Sequence, residues 1–328
     1  MNVSRRSLLA ACLVVPANAA LATQMNPGPW PSALMMATGR PGGVYDVYGP
    51  AWGRLAQQAS GVEISYRASG GAAADILLIE RGAAQLGMTT VAVANQARSG
   101  TGAWTAGVRL NSFRALFPIF PSILQIVVPA SSGITALAGL SNLVVGVGPD
   151  GGTGATSVPA IFASLGVSPA RAVTGDYRPQ MRDMLAGKLA ACAFIGAPPM
   201  PAIAAAALGE RLALLGFTPA EAEQVARRVP GMTSMLIPAG MFPRQGTAIA
   251  SVGTPNFSIG AASLPDSLAS TVTLAAMRNR LSLESLVPAA ALAPQPMLGD
   301  PGQMTFHPGA AMALRSLGLD LPARFVEG

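Results

Sequence analysis

This sequence is poor in charge, aromatics, histidine and cysteine. Of its 328 residues only 11% are Asp, Glu, Lys or Arg, 5% are aromatic, one is histidine and two are cysteine. Each scarcity closes off some chemistry. With His307 alone, a metal site built from several imidazoles is excluded and no metal is expected. A Ser–His–acid triad would have to recruit that same residue, and no G-x-S-x-G elbow presents a serine to it. Set between Phe306 and Pro308, His307 reads as structural. All but one of the 21 basic residues are arginine, and the exception, Lys188, follows Gly187 at a helix end instead of closing a phosphate loop, which excludes a Walker-type site. The net charge of +6 comes without a basic run or an aromatic-interleaved stripe. It reflects a shortage of acids, not a nucleic-acid surface.

The cysteines also say little needs stapling. Cys12 falls in an N-terminal stretch where Ser4-Arg5-Arg6 precedes the apolar run Leu8–Val15 and small residues follow at Ala17–Ala22. That layout is a cleaved export signal over residues 1–22, and the paired arginines resemble a twin-arginine signal. Cys192 is then the sole cysteine of the mature chain, so no intramolecular disulfide is expected, and its apolar setting predicts a buried inert thiol. No later segment offers ~18 uninterrupted apolar residues, so no transmembrane helix is expected. The mature protein is expected in the periplasm.

What is abundant is alternation of strand and helix. Residues 34–38, 62–66 and 85–88 read as strands, each followed by a glycine-rich or polar turn and a helix, the first carrying Pro50 in its first turn. Residues 115–119 and 123–128 read as two further strands. After the break near 130 the pattern restarts, with a strand at 190–195, helices at 178–186 and 200–208, a strand at 212–215 and a helix at 219–228. A second break near 245 precedes strands at 248–253 and 257–261, a helix at 265–279 and a clear helix at 310–317. The fold class is α/β, with mainly parallel strands covered by helices. Two breaks give a first lobe of residues 28–129 with 246–328 and a second lobe of 130–245. Two crossings between lobes make a hinge near 128 and 245, with a cleft at the carboxyl ends of the strands.

The stretch Leu143–Leu165 carries the chemistry. It reads as strand, glycine-rich loop and helix, with Thr153 or Thr156 available as a cap. Gly146, Gly148 and Gly151 spell G-x-G-x-x-G, which would make the protein an exported NAD(P)-binding oxidoreductase. Against that, Pro149 sits inside the fingerprint, the helix starts after Gly152, and no acid ends a strand ~20 residues on. The alternative is a device used three times, at Gly42-Gly43-Val44-Tyr45, Ser69-Gly70-Gly71 and Gly151-Gly152-Thr153-Gly154. Helix starts of this kind offer backbone N–H groups to an anion without any charged side chain.

Taken in order, Thr38-Gly39-x-x-Gly42-Gly43-Val44-Tyr45, Ala68-Ser69-Gly70, Ser132-Gly133-Ile134, Val147-Gly148-Pro149-x-Gly151-Gly152-Thr153-Gly154, Ala191-Cys192-Ala193-Phe194, Ile237-Pro238-Ala239-Gly240-Met241-Phe242-Pro243 and His307-Pro308-Gly309-Ala310 resemble the TAXI family of TRAP-transporter solute receptors over nearly the whole mature chain. The resemblance implies a two-lobed, type II-like periplasmic-binding-protein fold and a non-enzymatic receptor without cofactor. Such a receptor, a monomer, would close on a small carboxylate and deliver it to inner-membrane permease subunits. On this reading the backbone at Gly43, Val44, Tyr45, Gly70, Gly152, Thr153, Gly154 and Ala155 would bind the ligand. Tyr45, Ser69, Thr89 and Thr153 would supply side-chain hydrogen bonds, with Gly196 and Pro198 lining the cleft from the second lobe.

Overall fold

Two long strands organise the molecule. The computed structural model describes residues 30–287 and 300–326, so the export signal expected at 1–22 lies outside the described residues. Three parallel strands begin the chain: β1 (Ala33–Ala37), flanked by β2 (Glu63–Arg67) and β3 (Leu86–Thr90). They alternate with α1 (Tyr45–Ser60), α2 (Ala72–Glu80) and α3 (Val91–Ser99). Next comes β4, Phe113–Pro129, a single 17-residue strand where two were expected. Pro118 and Pro121 both lack the ladder N–H of a strand residue. The strand survives them by irregular pairing: Pro121 faces Pro255 of β10 (Ile249–Ala261), and the register slips between Pro255 and Phe257. The same slip explains why the stretches 248–253 and 257–261 are one strand and not two.

The second series is β5 (Val144–Gly146), α4 (Thr153–Ser164), β6 (Arg171–Val173), α5 (Tyr177–Leu185), β7 (Ala191–Gly196), α6 (Pro201–Gly209), β8 (Leu212–Leu215), α7 (Pro219–Arg228) and β9 (Thr233–Ile237). β6 and β9 were not expected. Most of their residues are exposed or half-buried, so no buried apolar run marks them. The chain returns through β10 to α8 (Asp266–Arg278), α9 (Arg280–Glu284) and α10 (Pro308–Ser316).

The strand order is β2-β1-β3-β10-β4-β7-β5-β6, with β8 beside β4 and β9 beside β10. The two long strands change partners along their length. β4 pairs with β10 up to Ile123, and from there to Pro129 with β7 and β8. β10 begins on β9 and ends between β3 and β4. Two wings hang on this pair: β1–β3 with α1–α3 and α8 on one side, β5–β7 with α4–α6 on the other.

Two apolar clusters fill the molecule, the larger running from the first wing into α5, β7 and α6 of the second. In the first, Trp52 of α1 is fully buried, meets Phe117 of β4 edge-on at 5.2 Å and donates its Nε1–H to the Val272 carbonyl at 3.3 Å. Pro50 falls in the second turn of α1, not the first. In the second, Val145, Val158, Ile161 and Phe162 pack beneath the sheet. Cys192 of β7 is wholly buried in the larger cluster, and burial pushes its thiol up to about 12, so it is inert as expected. His307 caps α10, its Nδ1 accepting from the Gly309 N–H at 3.2 Å. Among the described residues no helix is long and apolar enough to cross a membrane, and no group of acids, histidines and cysteines could hold a metal.

Candidate functional site

Because β1, β2 and β5 are each followed at once by a helix, the starts of α1, α2 and α4 gather where the two wings meet. None of these three helices has a side-chain cap; their N-cap residues are Val44, Gly71 and Gly152. Elsewhere the chain does use caps: Thr90 on α3, and a Thr218–Glu221 capping box on α7. The expectation that Thr153 or Thr156 caps α4 therefore fails. Thr153 is the first helical residue and faces Thr90 Oγ1 at 3.4 Å, while the Thr156 hydroxyl donates back to the Thr153 carbonyl at 3.1 Å.

The three starts differ in what their amides do. Those of α2 are spoken for. Ala73 and Ala74 donate across the cleft to the Gly151 carbonyl at 2.9 and 3.2 Å, and the Gly71 N–H donates to Ser69 Oγ at 3.0 Å. The reverse contact also exists, Ala202 near the start of α6 donating to the Gly42 carbonyl at 3.2 Å. Each wing thus caps a helix of the other with a backbone oxygen. In contrast, the N–H groups of Val44, Tyr45 and Asp46, and of Thr153, Gly154 and Ala155, find no acceptor among the described residues. The amides of Gly43 and Gly152, which had been expected to bind, are used locally by the Arg40 and Pro149 carbonyls at 3.0 Å each.

Between these amides lies a cavity of about 410 Å³, counting space that opens to solvent. It brings together seven of the expected residues: Gly43, Val44, Tyr45, Gly70, Gly152, Thr153 and Gly196. The others are near but turned away. Ser69 and Thr89 are buried structural hydroxyls, Thr89 lying 3.4 Å below the Ala72 carbonyl. Gly154 sits under the helix start, where a Cβ would overlap the Val147 carbonyl oxygen and stand 3.3 Å from its carbon. Ala155 lines a separate, wider groove beside Trp104, and Pro198 is buried outside the cavity wall.

The remaining wall is made of residues the sequence did not single out. Phe120 and Ser122 come from the middle of β4, Tyr177 from the start of α5, and Met200 from the turn before α6. Tyr177 meets Phe194 edge-on at 5.0 Å, which fixes its ring beneath Gly148. Tyr45 donates to Asn256 Oδ1 of β10, and Asn256 Nδ2 donates in turn to the Phe120 carbonyl at 2.8 Å and Ser122 Oγ at 2.7 Å. Tyr45 is therefore tied to both long strands. Burial first, then the nearby Asp75, raises its phenol well above the ordinary value, so it serves as a neutral donor. A signal for these wall residues exists only in hindsight: Phe120-Pro121-Ser122 interrupts an otherwise apolar strand.

Among the described residues one charged side chain reaches the cavity. Arg40 lines it and pairs with Asp176 of the other wing at 3.4 Å, both about half exposed. Such a pair adds at most ~1 kcal/mol. The dinucleotide fingerprint finds no support in the geometry. A Cβ at Gly146 would press on Gln180, the Gly148 N–H donates to Gln180 Oε1 at 2.8 Å, and α4 begins two residues beyond Gly151.

Comparison with known proteins places the architecture. A structure described as a periplasmic transporter matches with a TM-score of 0.52 and 14% identity, covering 88% of this chain and 94% of the other. An ancestral arginine-binding protein bound to arginine matches with a TM-score of 0.50 and 12% identity, over 79% of this chain and 97% of the other. The fold is thus the α/β, type II fold of periplasmic binding proteins that the resemblance implied. The model of the NMT1-like family matches residues 36–318, and the chain belongs to that family.

Proposed function

We propose that this protein is an exported, non-enzymatic receptor that closes on a small carboxylate, an amino acid or organic acid, and delivers it to a TRAP-type secondary transporter in the inner membrane. The family and the fold are those of solute-binding proteins. The observation that carries the ligand class is the pair of uncapped helix starts, α1 and α4, whose free amides at Val44, Tyr45 and Thr153 border one cavity. Helix N-termini favour an anion by their unpaired donors and dipole, and Arg40 adds the one positive side chain.

On this reading the wings are the two lobes, residues 28–129 with 246–328 and residues 130–245. Their hinge is the β4–β10 pair, and closure is a population shift driven by the ligand's better fit to the closed form. The mature protein acts in the periplasm as a monomer after export through the Arg5-Arg6 signal. A thermal-shift screen of purified mature protein against amino acids, organic acids and NAD(P) tests the reading. A carboxylate at 100 times its Kd stabilises by about 2.7 kcal/mol, a rise in melting temperature of roughly 4 °C. A shift with NAD(P) and none with any acid would overturn the receptor reading in favour of an oxidoreductase.

A further inference from the structure

Among the described residues the first wing contains one fully buried carboxyl, Asp75 of α2, which the binding cavity does not reach. Its two oxygens are both acceptors. Oδ1 accepts from the Ser69 hydroxyl, and Oδ2 accepts from the Met88 N–H of β3 at 3.0 Å. Space is kept for it by the absence of a side chain at Gly87, where a Cβ would come within 3.2 Å of the Asp75 Cβ. Ser69 Oγ in turn accepts two amides, Gly39 N–H at 3.1 Å and Gly71 N–H at 3.0 Å. Gly39 and Gly71 both line the cavity, one after β1 and one at the start of α2. A single hydroxyl therefore fixes two walls, and it is aimed by the carboxylate.

We propose that Asp75 is a positioning residue whose ionised carboxylate orders the first-lobe wall of the cleft through Ser69, so that a proton on Asp75 loosens that wall. The proposal rests on the receptor reading for its functional meaning and on lone-pair counting for its mechanism. A serine oxygen has two acceptor sites, and both are filled by the glycine amides. With the carboxylate ionised, the hydroxyl proton has its acceptor and every donor is satisfied. A proton on either oxygen removes the charge from the acceptor of the Ser69 and Met88 bonds and adds a buried O–H donor that the ring around it does not use. The Ser69 hydroxyl is then held less firmly, and with it the amides of Gly39 and Gly71.

The titration falls in an accessible range. Burial raises the acid from 3.8 to about 7, opposed by the bonds from Ser69 and Met88. Because the folded value lies above the unfolded one, the group is neutral in the fold below that pH and ionised above it. Few other charges face it. β3, α4 and β10 carry no ionisable side chain, and Tyr45 of α1 stays a neutral phenol throughout. Arg98 of α3 interacts with Arg114 of β4 and with Glu80.

The test needs no ligand, so its failure is distinct from failure of the receptor reading. Amide shifts of Gly39, Gly71 and Met88 are followed by ¹H–¹⁵N correlation spectra from pH 5.5 to 8.5 in the intact mature protein. All three are expected to move with one shared midpoint near 7, and to stop moving in Asp75→Asn. In Ser69→Ala, where Asp75 still titrates, Met88 should continue to move while Gly39 and Gly71 become flat. A merely structural Ser69 would not separate them in this way. Flat Gly39 and Gly71 signals in the wild type overturn the proposal, whether or not Met88 moves, as does their continued titration in Ser69→Ala.

Discussion

Replacing Gly70 with alanine is expected to weaken capture of the carboxylate found by thermal shift at least 100-fold, with the melting temperature of the free protein changed by no more than about 2 °C. A Cβ at this position would overlap the Asp150 carbonyl oxygen of the opposite wing and stand 3.0 Å from its carbon. Backbone cannot rotate aside as a flexible side chain would, so the overlap is relieved only by parting the two loops. Parting them breaks the bonds from Ala73 and Ala74 to the Gly151 carbonyl. The loop itself tolerates the change, because Gly70 is not among the residues with positive φ. On the receptor reading, in which these cross-wing bonds belong to the closed form, the cost falls on that form alone. A loss of about 2.7 kcal/mol in that form corresponds to the 100-fold effect. Isothermal titration measures the affinity, and small-angle scattering of the liganded variant should show a larger radius of gyration than the liganded wild type. Unchanged affinity would separate closure from binding and remove the Gly70–Asp150 contact from the account.

Thr153→Pro has the second large effect, for a different reason. Thr153 is the first residue of α4, a position where proline is favoured since its N–H has no helical acceptor. Gly152 before it is extended, with φ −81° and ψ 160°, the conformation proline demands of its predecessor. The substitution is thus compatible with the helix yet deletes one amide facing the cavity. A hydrogen bond to a charged group contributes about 1.5–3 kcal/mol, so affinity should fall roughly 10- to 100-fold. Thr153→Ala keeps that amide and loses only the hydroxyl that faces Thr90 at 3.4 Å, so its loss should be a few-fold. Equal losses in the two variants, measured by titration calorimetry, would assign the role to the hydroxyl instead of the backbone.

The contrast between these residues shows how far the sequence could be read. Glycine-rich helix starts are legible because glycine and the periodicity around it are local: α2 and α4 begin directly after Gly71 and Gly152, whereas α1 begins early enough to put Pro50 in its second turn. The wall of the cavity opposite them was not legible. Phe120 and Ser122 lie in the middle of β4, and which face they present depends on a proline-induced slip against β10 that is decided across more than 130 residues of chain. Ser69 and Thr89 are expected as ligand donors only through the family resemblance. Whether a hydroxyl points into a cleft or into the protein is set by the partner beneath it, here Asp75 for Ser69 and the Ala72 carbonyl for Thr89. Asp75 itself sits in an apolar helix and gives no local sign that it is the one buried acid in the wing. Likewise, the fingerprint Gly146-x-Gly148-x-x-Gly151 is spelled in the sequence, but Gln180 occupies the space against its first two glycines.

The most direct measurement is amide shift mapping of the mature protein during titration with the acid that raises its melting temperature most. The account predicts that the largest perturbations fall on Val44, Tyr45 and Thr153, the unpaired amides at the starts of α1 and α4, and that they saturate together. Perturbations confined to the groove beside Trp104 and Ala155, or confined to one helix start with the other unmoved, would contradict it.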